Sequence, residues 1–124
     1  MKNSSAAPIL CDLDGVVWLS HEPIAGSVEA IAALREAGHR VLFVTNNSFA
    51  KVADQEKTLE SIGISAKGDV LTSSGAAATL LKPGQRVLVA GGPGVVEAVE
   101  SVGAIVAGRT DDGSSQDAQK ISDA

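Results

Sequence analysis

The stretch Ile9-Leu10-Cys11-Asp12-Leu13-Asp14-Gly15-Val16-Val17-Trp18 constrains this chain more than any other. Three apolar residues run into two aspartates at positions i and i+2, and a glycine follows. The pattern predicts a short buried strand over residues 8 to 14 that ends at a sharp turn. Side chains at i and i+2 of a strand share a side, so the spacing predicts that Asp12 and Asp14 stand together. Their place would be the carboxyl end of the strand, where open parallel α/β sheets bind ligands. Two carboxylates this close repel unless a cation or a donor compensates, and a hard divalent ion such as Mg2+ is the simplest compensation.

The remaining sequence alternates strand and helix signals. Residues 1 to 7 read as a loose tail and 15 to 26 as a connection turned by Pro23 and Gly26. Ser27 suits a helix N-cap, Val28, Ile31 and Leu34 repeat at helical spacing, and Gly38 stops the helix. Arg40 to Thr45 holds four consecutive apolar residues, which predicts a strand buried on both faces, as in a parallel sheet. Ser48 is a candidate cap for a second helix ending near Gly63, with Val52, Leu59 and Ile62 facing inward. A third strand is expected over 69 to 72, then a small-residue helix from Gly75 to Leu81 capped by Ser73 and Ser74. Lys82-Pro83-Gly84-Gln85 is the clearest internal boundary. A strand over 86 to 90, a Gly91-Gly92-Pro93-Gly94 loop, a helix over 95 to 102 and a strand over 104 to 106 follow. Residues 108 to 124 read as a polar tail, Asp111 and Asp112 included. The alternation predicts an α/β fold with a parallel sheet.

Composition narrows the function classes. With 10 basic against 15 acidic residues and a net charge of -5, the chain is a poor nucleic-acid binder, since phosphate affinity needs clustered Lys and Arg. No apolar run approaches the roughly 18 residues that span a bilayer, and the amino terminus is a poor signal peptide. One cysteine, Cys11, allows no internal disulfide. A cytoplasmic protein is expected. Aromatics make up 2% of the chain, so Val, Ile, Leu and Ala must fill the core.

Three places could carry chemistry. Asp12 and Asp14 could serve as nucleophile and as general acid and base. Thr45-Asn46-Asn47 ends the second strand and offers a hydroxyl, two amides and the N–H groups opening a helix, a set that suits an anion; a cap and turn is the plainer use. Gly91 to Gly94 resembles a phosphate loop but lacks both the third fingerprint glycine and the P-loop lysine, so a tight turn with Pro93 at the first helical position is preferred. Trp18 either packs over the aspartates or is a plain anchor. His21 and His39 have no evident partners, and Cys11 reads as packing.

Asp12-Leu13-Asp14-Gly15-Val16-Val17-Trp18 resembles the first motif of the haloacid dehalogenase superfamily. Pro23 to Gly26, Phe43 to Ser48, Leu71 to Ser74 with Ala76 to Ala78 and Leu80, and Val87 to Gly94 resemble its NagD-like and 4-nitrophenylphosphatase-type branch, subfamily IIA with a C2-type cap. The resemblance covers residues 8 to about 106. It implies the N-terminal part of a three-layer Rossmann-like core with a parallel sheet over residues 1–81 and the start of an α/β cap over 82–107, the fold being incomplete. It also implies Asp12 as nucleophile and Asp14 as acid and base, both at a Mg2+ site that Asp14 reaches through its backbone carbonyl, with the backbone of Leu13 and Gly15 close by. Thr45, Asn46 and Asn47 would hold the phosphoryl group. The implied substrate is a small phosphorylated metabolite of the sugar, glycerol or pyridoxal phosphate class, and a homo-oligomer is an option. In that family a lysine and further aspartates follow the cap; Lys120 and Asp123 lie in the polar tail and are not assigned those roles. The chain therefore reads as the first part of a longer hydrolase. A non-catalytic phosphate-binding or interaction module is the second reading. A receiver-like domain is the last, because no aspartate stands at Thr45 to accept a phosphoryl group.

Overall fold

The computed structural model describes residues 6–110. The tail expected for the first residues, the polar stretch 111–124 and with it Asp111, Asp112, Lys120 and Asp123 lie outside the described residues. The chain falls into two compact units, one from residues up to 45 with 52–71, the other from 46–51 with 72 onward. That division lies earlier in the chain than the Lys82–Gln85 break.

In the first unit, strand β1 (Ile9–Asp12) pairs in parallel with β4 (Val41–Thr45), Ile9 opposite Val41 and Asp12 opposite Val44. Strand β5 (Val70–Thr72) flanks β4, giving the order β1-β4-β5. Helix α1 (Ser27–Glu36) and helix α2 (Val52–Ser61) cover one face. Cys11, Val41, Phe43 and Val70 meet Ile31 and Leu59 there, with Val28, Leu34, Val52 and Ile62 at the margin. Each fully buried large side chain in such a core contributes about 2 kcal/mol. The other face is less covered: Leu10 is 66% exposed, and Leu42 and Val44 are half-buried. Burial on β4 therefore alternates instead of holding on both faces, because the described residues of this unit make two layers.

The connection after β1 carries a hairpin absent from the sequence reading. Strands β2 (Trp18–Leu19) and β3 (Glu22–Pro23) pair antiparallel around Ser20 and His21. Both turn residues have positive φ, 48° and 66°, which a two-residue turn needs to match the strand twist. The hairpin is tied back at Val17, whose carbonyl accepts from Ile24 N–H and from the Ser27 hydroxyl, each at 2.9 Å. Ser27 is thus not the cap of α1; Gly26 is, at φ 86°.

In the second unit, β6 (Arg86–Ala90) and β7 (Ile105–Thr110) pair in parallel, with a bulge between Val87 and Leu88. Strand β7 runs through Gly108–Thr110, residues expected to belong to the tail. Helix α3 (Ser73–Ala78) packs on α4 (Pro93–Ser101), and Val89, Val99 and Ala104 are the buried centre. Thr72 caps α3 by accepting from Gly75 N–H at 3.0 Å. The Ser48 hydroxyl accepts from Ser74 N–H at 3.1 Å and bonds the Ser73 hydroxyl at 2.6 Å. Ser48 therefore serves the start of α3 and not that of α2. No helix among the described residues is long and apolar enough to cross a membrane.

Candidate functional site

Strand β1 ends at Asp12, so the period of two does not reach Asp14. A closed loop places it instead. The carbonyl of buried Leu13 accepts from Val16, Val17 and Trp18 N–H at 3.2, 2.9 and 3.2 Å, and Gly15 N–H donates to Trp18 O at 2.8 Å. Gly15 makes this turn at φ 87°, a left-handed conformation costly for residues with a Cβ. The backbone of Asp14 bridges to that of Trp18.

Both carboxylates emerge from this loop into solvent. Asp12 Oδ1 accepts from Leu13 N–H at 2.9 Å. Asp14 Oδ1 accepts from the indole Nε1–H of Trp18 at 3.0 Å. Among the described residues neither Oδ2 has a partner, so each acid is held by one oxygen and offers the other. Trp18 is 2% exposed and is at once an anchor and a donor to the site. His21, expected to be unpartnered, lies against the indole with ring centroids 5.0 Å apart. His39 also has a partner: its Nδ1–H donates to Ala7 O at 2.8 Å.

Charge is distributed along the sheet axis. Arg40, just before β4, pairs with Asp69, just before β5, at 2.9 Å, and Arg35 reaches Asp69 at 3.8 Å while its guanidinium lies over the Phe43 ring. The ion pairs of the first unit thus sit at the amino ends of its strands, and no described cation pairs with the two aspartates at the carboxyl end. Burial, with the Asp12 charge beside it, pushes the Cys11 thiol above its usual pKa, which fits a packing role.

Thr45 ends β4 one residue beyond Val44, the partner of Asp12, and is buried. The pleat groups it with Val41 and Phe43. Asn46 and Asn47 follow it in the chain but belong to the second unit. Asn46 is exposed, and Asn47 Oδ1 accepts from Phe49 N–H at 3.2 Å, an Asx turn. The first unit therefore brings together Asp12, Leu13, Asp14 and Gly15, with Thr45 on the adjacent strand.

The glycine-rich loop of the second unit is filled by protein. Gly94 N–H donates to Phe49 O at 2.8 Å, and Gly91 N–H to Thr110 O at 2.8 Å. Pro93 opens α4, as expected of a tight turn.

As an oxygen donor set, the Asp12 carboxylate with the Asp14 backbone carbonyl fits Mg2+, which takes one or two carboxylates and completes its shell with water and phosphate oxygens. Among the described residues no group of three or more His, Cys, Asp or Glu side chains is placed to hold a metal without such help.

Residues 9–105 match the haloacid dehalogenase-like hydrolase family. The chain is 38% identical over 100 residues to a D-glycerol 3-phosphate phosphatase of Mycobacterium tuberculosis, covering 77% of this chain and 28% of that protein. The glycerol phosphate phosphatase of that organism, solved with magnesium, superposes with a TM-score of 0.70 at 33% identity over 84% of this chain and 31% of that one. NagD from E. coli shares the fold at a TM-score of 0.79 and 18% identity, over 98% of this chain and 52% of that one. The chain thus spans about half or less of the length of these relatives.

Proposed function

This chain belongs to the haloacid dehalogenase-like hydrolases, and on that premise we propose that it carries the nucleophile and the proton-transfer group of a Mg2+-dependent phosphatase for a small phosphate monoester. The observation that carries the reading is the closed loop at the end of β1, which presents two carboxylates with one oxygen each held and one each open. Asp12 Oδ2 attacks the phosphorus, the ester P–O bond breaks, and Asp14 gives its proton to the leaving oxygen. Water then attacks the aspartyl-phosphate, Asp14 takes the proton, and phosphate leaves.

The Asp12 carboxylate and the Asp14 backbone carbonyl would hold Mg2+, which when bound offsets the negative charge of the phosphoryl oxygens. On the family resemblance Thr45 is assigned to the phosphoryl oxygens, and residues from 82 onward to the start of a cap that selects the substrate. The relatives' names point to glycerol and sugar phosphates as the substrate class, since the similar proteins include a glycerol phosphate phosphatase and a Bacillus subtilis sugar phosphatase.

Turnover of 4-nitrophenyl phosphate with Mg2+ tests this. Asp12→Asn keeps an Oδ1 acceptor for Leu13 N–H but no nucleophilic oxygen, and it should cut turnover by about 1,000-fold or more with the melting temperature unchanged. Undiminished turnover would refute the assignment.

A further inference from the structure

Trp18 donates its indole N–H to Asp14 across four residues of sequence, from a position 2% exposed. It is held there from several sides. Its own N–H and carbonyl bond Leu13 O and Gly15 N–H, and the hairpin that begins with it turns through two left-handed non-glycine residues. The second of these, His21, rests on the indole ring. Left-handed backbone at Ser20 and His21 is a local cost that persists only where surrounding contacts impose it. Backbone bonds fix the start of the hairpin, the His21 ring lies against the indole, and the indole's only polar atom donates to one carboxylate oxygen.

We propose that Trp18 is a positioning residue for Asp14: its indole N–H occupies Oδ1, fixes the plane of the carboxylate and leaves Oδ2 as the one oxygen that carries the proton. A carboxyl free to rotate presents its proton from either oxygen and in several directions, and proton transfer to a leaving group needs one. The proposal rests on the reading of Asp14 as acid and base.

Trp18 is the only tryptophan, so one indole N–H signal in a 15N-correlated NMR spectrum of the whole chain reports this bond without ambiguity. Asp14→Ala, a change at an exposed side chain, should move that signal upfield and speed its exchange with solvent. Asp12→Ala should leave it in place. An indole signal indifferent to Asp14→Ala overturns the proposal.

The functional arm uses Trp18→Phe, which keeps a ring and removes the donor. Turnover of 4-nitrophenyl phosphate should lose about tenfold or more in kcat with KM nearly unchanged, as misplacement of a catalytic group does. Wild-type kcat in Trp18→Phe, beside the loss in Asp12→Asn, overturns the positioning role and spares the phosphatase reading. If the wild-type chain shows no turnover, the catalytic reading of this chain gives way to the non-catalytic phosphate-binding module, and the indole signal still decides whether Trp18 holds Asp14.

Discussion

Two glycine-bearing turns follow strands in this molecule, one after β1 and one after β6, and they use glycine for opposite reasons. Gly15 is there for its dihedral: φ is 87°, and a Cβ built on it would meet nothing within 4 Å. The space beside it is open, and Asp12 and Asp14 in the same loop are exposed. Gly94 is there for its size. A Cβ at that position would stand 2.3 Å from Ala50 O and 2.4 Å from Ser48 O, and one at Gly92 would enter the Phe49 ring. That loop has the outline of a phosphate cradle, but the chain's own backbone occupies it. A glycine cluster marks a ligand site when the room it makes is left empty, and sequence spacing does not report which occurs.

The comparison breaks most sharply at Gly94. Gly94→Ala forces backbone apart and should cost about 3 kcal/mol, the upper end of overpacking, in denaturant titration followed by circular dichroism. Gly15→Ala has room but the wrong dihedral preference, and should cost about 1 to 2 kcal/mol. Asparagine separates the two causes. It tolerates left-handed backbone, so Gly15→Asn should be milder than Gly15→Ala, whereas Gly94→Asn should be worse than Gly94→Ala. The same order at both positions would erase the distinction.

A smaller effect probes how dry the strand behind the first loop is. Burial raises the Cys11 thiol above its ordinary pKa in the folded state. Its contribution to stability is therefore complete below the ordinary thiol pKa and is lost as pH rises through the raised value. Unfolding free energy measured from pH 8 to 10.5 should fall more steeply in the native sequence than in Cys11→Ala. Parallel slopes would mean that water reaches the thiol.

Much of the first unit was legible because its pattern is periodic. Val28, Ile31 and Leu34 face inward as spaced, and β1 and β4 pair in parallel as their apolar runs suggested. Asp12 and Asp14 stand out in the sequence because an acid pair after a buried strand has few structural uses, but the strand period does not place Asp14; the loop does. The errors share a cause. Ser27 and Ser48 were read as caps for the helices that follow them, but their hydroxyls are engaged at a distance, by Val17 O and by the start of α3. Local propensity does not reveal a nonlocal partner. The β2–β3 hairpin escaped because its strands have two residues each and its turn lacks the glycine or asparagine that would announce it. The sequence offers Trp18 as a ring over the aspartates or a plain anchor; where its N–H points depends on that hairpin.

The placement of the single indole has a practical corollary. The chain has no tyrosine, and its two phenylalanines are Phe43 and Phe49. Tryptophan emission is therefore a lamp placed in the first unit. Optical unfolding curves that coincide between emission and far-ultraviolet signal would show both units yielding together; curves that part would show each failing at its own temperature.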